Sequence, residues 1–187
     1  MHDWSGKWRV EASIPGGGRY EGTLAIESAG EDCRLTWDIS DGTYFGVGAA
    51  RPEGLFASCA PDLDQCRLLV LDLAGREGRL LDRSLRPKAI AARPDGPSAF
   101  VLSGAGLSRL KLHPNGSALF AEIAAGDQRL EGLGWRTARS VAAAWGGELD
   151  RHVILFYEMA ASGREATAKW ALGRIPALAD ERLRRIS

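Results

Sequence analysis

The feature that most constrains this 187-residue chain is an internal repeat at a spacing of 86 positions. Gly46-Val47-Gly48, Leu55, Leu63-Asp64 and Leu68-Leu69-Val70-Leu71 recur without a gap as Gly132-Leu133-Gly134, Val141, Leu149-Asp150 and Ile154-Leu155-Phe156-Tyr157. Upstream, Leu24 and Ile26 fall on Leu110 and Leu112, and the turn glycine Gly30 falls on Gly116. Self-similarity at a fixed period marks one structural unit used twice. Between these blocks, Leu35-Trp37-Ile39 fits Leu119-Ala121-Ile123 better at a shift of 84, which predicts two extra residues near Asp127-Gln128.

Each copy reads as consecutive strands. Trp8-Val10-Ala12, Tyr20-Gly22-Leu24-Ile26, Cys33-Leu35-Trp37-Ile39 and Tyr44-Gly46-Gly48 alternate with period two, the mark of strands with one buried face. Pro15-Gly16-Gly17-Gly18, Ala29-Gly30-Glu31-Asp32 and Ser40-Asp41-Gly42 break them with hairpin residues. Ala142-Ala143-Ala144 favours helix by propensity, but its partner Phe56-Ala57-Ser58 favours strand, and the repeat outweighs propensity. Ala177 to Leu183 reads either as a short helix after Pro176 or as a closing strand.

An open meander leaves two unpaired edges, and closure removes them. The expected fold is therefore all-β, with two tandem antiparallel meander β-barrels. Residues 1–86 form the first, 87–97 a Pro/Gly-rich linker, and 98–187 the second. A single large barrel with pseudo-twofold symmetry, or a sandwich, is the alternative.

Trp8-Arg9-Val10, Pro15-Gly16-Gly17-Gly18, Tyr20-Glu21-Gly22-Thr23, Trp37-Asp38-Ile39 and Tyr44-Phe45-Gly46-Val47-Gly48 resemble the strand and turn motifs of small bacterial β-barrel domains of uncharacterised function. Trp4-Ser5-Gly6-Lys7-Trp8 and Lys169-Trp170-Ala171-Leu172 are similar to the first and late strands of avidin-like and lipocalin-like (calycin) barrels. The resemblance implies a β-barrel and transfers no ligand residue.

Twenty-four basic residues balance 24 acidic ones, which disfavours nucleic acid and anionic membranes as partners. No apolar run reaches the roughly 20 residues that span a bilayer, so no transmembrane segment is expected. Met1 to Gly6 lacks the pattern of a signal peptide, and three cysteines suit a reducing compartment. The expected location is cytoplasmic, or periplasmic or secreted if a leader has been removed.

Signatures of nucleophilic, zinc-dependent and phosphate-binding enzymes do not occur. Two pairs carry what chemistry there is. Cys59 and Cys66 flank Asp62-Leu63 symmetrically, so a hairpin would face them across two strands, a redox candidate or two small buried residues. Their repeat partners Trp145 and His152 would face each other likewise, a seat for a flat ligand or an acid/base, or plain packing. Trp135 and Trp170 join Trp145 and His152 as candidate ligand-binding residues. Asp62-Leu63-Asp64 and Glu148-Leu149-Asp150 offer too few oxygens for calcium and read as polar turn caps. No metal and no cofactor is expected.

The leading expectation is a non-catalytic binding or assembly protein acting through protein contacts, such as an accessory subunit. A carrier of a hydrophobic small molecule in a barrel cavity is the second. A small enzyme using a barrel-mouth histidine or the cysteine pair is the third.

Overall fold

The computed structural model describes residues 2–186. Among them, sixteen strands close into two eight-stranded antiparallel barrels, as expected for the fold class. The first eight strands are β1 (Gly6–Ser13), β2 (Arg19–Ala29), β3 (Asp32–Ile39), β4 (Gly42–Arg51), β5 (Gly54–Ala60), β6 (Arg67–Asp72), β7 (Glu77–Leu81) and β8 (Lys88–Pro94). The second copy supplies β9 (Ala99–Gly104), β10 (Leu107–Asn115), β11 (Ala118–Ala125), β12 (Gln128–Arg136), β13 (Ser140–Trp145), β14 (Val153–Met159), β15 (Glu165–Leu172) and β16 (Ala179–Arg185). Ala142 to Ala144 is strand, and the C-terminal segment is the closing strand rather than a helix.

The repeat holds at 86 throughout the middle of each copy. β3 maps onto β11 at that shift end for end, and Leu24 pairs with Trp37 as Leu110 pairs with Ile123. The expected two-residue insertion near Asp127-Gln128 is absent. A slip of two residues keeps every side chain on its own face, so alternation alone cannot tell 84 from 86.

The barrels are not the two halves of the chain. Barrel I is ordered β1-β16-β15-β14-β5-β4-β3-β2, and barrel II β10-β11-β12-β13-β6-β7-β8-β9. Each takes five strands from one copy and three from the other, so strands do not assort as 1–86 and 98–187. The segment around 95–98 is a turn inside barrel II, joining the paired strands β8 and β9. The chain changes barrel instead at two short 3-10 turns, Leu63–Gln65 and Leu149–Arg151, which are repeat partners. Because β6 and β14 are copies, β5 meets an equivalent partner whether it folds back on β6 or pairs with β14. Local pattern is degenerate between the two, as in domain swapping. The pseudo-symmetry is visible in register: Ala57 pairs with Leu155, and 86 positions forward and back, Ala143 pairs with Leu69.

Outward apolar faces of the crossing strands meet in a dry layer between the barrels. Phe56 and Phe156 stack there with centroids 4.7 Å apart, and Leu68, Val70, Leu133 and Ile154 are fully buried around them. Each such side chain contributes about 1.5–3 kcal/mol on burial. Arg79 of β7 reaches across to Asp32 of β3 at 3.0 Å, tying the barrels electrostatically at the edge of that layer.

Candidate functional site

The interiors of the two barrels differ in kind. Barrel II is filled by aliphatic side chains with Phe100 and Trp145 among them. Barrel I is lined by Trp4, Trp8, Trp37, Tyr157 and Trp170. One end of it is plugged: Trp8 donates its indole N–H to the Trp4 carbonyl at 3.1 Å, and the Arg185 guanidinium lies 4.4 Å from the Trp8 ring centroid. Arg185 also donates to the Ser5 carbonyl at 2.7 Å, which fastens the N-terminal segment to the closing strand.

At the opposite end is a cavity of about 230 Å³. Tyr20, Trp37, Tyr44, Cys59 and Trp170 line it, with Asp41, Asp150 and Arg151 on the rim. These residues converge from the starts of β2 and β4, the ends of β3, β5 and β15, and the second 3-10 turn. One small residue stands at the cavity wall. Cys59 points into barrel I, whereas its repeat partner Trp145 lies in the core of barrel II.

Behind the cavity wall sits Glu181 of β16, 1% exposed. Tyr157 donates to its Oε1 at 2.5 Å, and Tyr20 donates to its Oε2. Burial raises the Glu181 pKa above its ordinary value, and the bonds from Tyr157 and Tyr20 pull it back only in part. The Trp37 indole leans toward the carboxyl and favours its ionised form without closing a hydrogen bond. Both phenols are held protonated by burial first and by the carboxylate beside them second.

The sister barrel supplies an internal control. Following the ladders, Tyr157–Ala168–Glu181 in barrel I corresponds to Leu71–Gly78–Ile90 in barrel II. Trp170, opposite Leu155, corresponds to Leu80, opposite Leu69, and Trp37 corresponds to Ile123. The fold thus closes without the buried carboxyl, its tyrosines or its indoles. A buried carboxyl costs several kcal/mol unless well paired. Its presence in one barrel alone is not a demand of the architecture.

Of the candidate ligand-binding and redox residues, Trp170 and Cys59 line this cavity, together with the strand aromatics Trp37 and Tyr44 and the turn residue Asp150. Trp145 and His152 are not a cross-strand pair, because the segment between them crosses from one barrel to the other. Trp145 pairs with Arg67 of β6, and His152 caps the 3-10 turn. Trp135 lies between the barrels, 6.1 Å from Phe156. Cys59 and Cys66 do not face one another either: Cys59 pairs with Val153 and Gly46, and Cys66 packs between the barrels. Both are free thiols, and burial pushes the Cys66 pKa up to about 12. His152 accepts or donates one bond, Nε2 to Ser58 Oγ at 2.9 Å, and is 1% exposed. Cys66 and His152 are closed off from solvent, whereas Cys59 borders the cavity.

Asp62 caps its turn as expected, accepting from the Asp64 N–H at 2.9 Å, whereas Glu148 makes no side-chain cap bond in the second turn. Among the described residues, no three His, Cys, Asp or Glu side chains gather to hold a metal ion. No helix there is long and apolar enough to cross a membrane. Sequence reasoning missed Glu181, Tyr20 and Tyr157. The signal for Glu181 was present: in the strand reading of the C-terminal segment, it shares the inward face with Ala179 and Leu183.

Comparison with protein-family models, with curated proteins and with solved structures gave no significant match.

Proposed function

We infer that this protein is a non-catalytic binder of a small, largely apolar molecule, held in the open mouth of barrel I, while barrel II is its structural support. The observation that carries this reading is the cavity beside Cys59, in a barrel whose sister is filled at the same place by Trp145. Its volume falls below the ~300–1,000 Å³ of pockets for drug-sized ligands, so the occupant is smaller or leaves part of itself in the mouth. Three buried, unpaired thiols accord with a reducing compartment such as the cytoplasm. Eight-stranded antiparallel closure and the aromatic first strand support kinship with calycin-like barrels.

Assembly through protein contacts is the weaker reading. Phe56, which would have offered an apolar docking face, is spent between the barrels, and the large apolar side chains left exposed among the described residues are Val101 and Ile186. Scattered single exposures of this kind do not make a docking patch.

The test is Cys59→Trp, which copies the sister barrel. Native mass spectrometry of the unaltered protein, purified gently, should show a bound small molecule that Cys59→Trp lacks while keeping its fold. An empty unaltered protein, whose tryptophan fluorescence also ignores small aromatic probes such as indole and quinoline, would sink the reading.

A further inference from the structure

This step rests on the ligand site above and names the chemistry of its occupant. Glu181 is surrounded by elements that bring no positive charge. β2 contributes Tyr20, β14 Tyr157, β3 Trp37 and β5 the thiol of Cys59. Its ladder neighbours on β1 and β15 are Ala12 and Ala168. On the rim, Asp41 and Asp150 face Arg151, while Arg174, 3.8 Å from Asp150, pairs more closely with Glu131 at 2.6 Å. When ionised, Glu181 is a charge without a cationic partner inside barrel I, one phenol away from the cavity through Tyr20. In a low-dielectric interior, a charge at that separation still acts strongly. The cavity walls add to it, because Tyr20, Trp37, Tyr44 and Trp170 are aromatic and their ring faces attract cations.

We propose that the cavity takes a small organic cation, a protonated or quaternary ammonium with an apolar body, which serves as the counter-ion that barrel I lacks. Such a ligand favours ionised Glu181, so binding releases a proton whenever Glu181 is protonated in the empty protein. The sister barrel, with Ile90, Ile123 and Leu80 in the matching places, offers no such site.

The experiment uses two probes of equal shape, benzyltrimethylammonium and its uncharged isostere neopentylbenzene, titrated by tryptophan fluorescence and calorimetry. The cation is expected to bind at least about tenfold more tightly, and E181Q to cut that ratio severalfold without weakening the isostere, the remainder coming from the aromatic walls. In the unaltered protein, cation affinity should rise with pH through the raised Glu181 pKa, with proton release, while isostere affinity stays flat. Equal affinities for the two probes, or a cation affinity indifferent to pH, would overturn the cation while leaving a small-molecule site in place. No response to either probe in the folded protein would overturn both. The pH series needs no substitution, so the proposal stays open to refutation even if E181Q does not fold.

Discussion

Acid should loosen this protein through one buried residue just behind the cavity wall, between the lining residues Arg151 and Val153. His152 is buried between the barrels, its Nε2 on Ser58 Oγ at 2.9 Å and its Nδ1 without a partner. Burial lowers its pKa from 6.5 to about 4, and the nearby Gly146 carbonyl offsets this slightly. The unfolded chain therefore takes up a proton more readily than the folded one. Stability from neutral His152 is complete above the unfolded pKa, declines as pH falls below 6.5, and is gone below about 4. At about 1.4 kcal/mol per pKa unit, the loss comes to about 3 kcal/mol, a large part of the margin of a typical domain.

The assay is denaturant unfolding at pH steps between about 7 and 4, on the protein and on His152→Gln. The glutamine keeps a polar partner for Ser58 and does not titrate. Glu181 works in the opposite direction: its raised pKa means that protonation on acidification restores stability, so the raw curve mixes the two. The difference between the two proteins removes Glu181 and leaves His152. Parallel curves across the whole range would show that His152 is not buried neutral between the barrels, and the interface described here would be wrong.

Three more outcomes follow from the crossings and the thiols. Gly146→Ala should destabilise by about 2–4 kcal/mol in thermal or denaturant melts, because φ is +133° there and an added Cβ would meet the Gln65 carbonyl at 1.7 Å. Thiol titration should find Cys33 and Cys66 unreactive until denaturant is added; rapid labelling of either in the native protein would contradict their burial. Cleavage at a protease site inserted beside Gly96, an exposed turn position, should leave the fragments co-eluting until they are unfolded. Separation of the fragments under native conditions would instead mean two sequential barrels.

Strand and turn signals carried the fold a long way. Alternation in β1 to β4 and its echo in β10 to β12 were enough for an all-β chain and two closures. What alternation could not carry was partnership. β5 sees the same kind of neighbour in β6 and in β14, so a hairpin and a crossing look alike in sequence. The misreading of Cys59 with Cys66, and of Trp145 with His152, follows directly from that degeneracy. The site was hidden for a related reason. Trp170 and Trp37 are visible as strand aromatics, but only the assembled ladder shows Glu181 between two tyrosines. Trp145 drew attention as a large aromatic, and its importance is inverse: it fills barrel II where Cys59 leaves barrel I open.

Interlacing also bears on why the two copies diverged as they did. A lone eight-stranded barrel of this size has little stability to spare, and a buried carboxyl without a cationic partner draws on that reserve. Here, neither barrel stands alone. Unfolding barrel I pulls β14 to β16 away from β13 across the second crossing, and exposes Phe56, Phe156 and Ile154 of the shared layer. The aliphatic core of barrel II and that layer therefore support barrel I through covalent continuity as well as contact. Trp145 on one side and Glu181 on the other are two ends of one arrangement, in which the closed barrel sustains the open one.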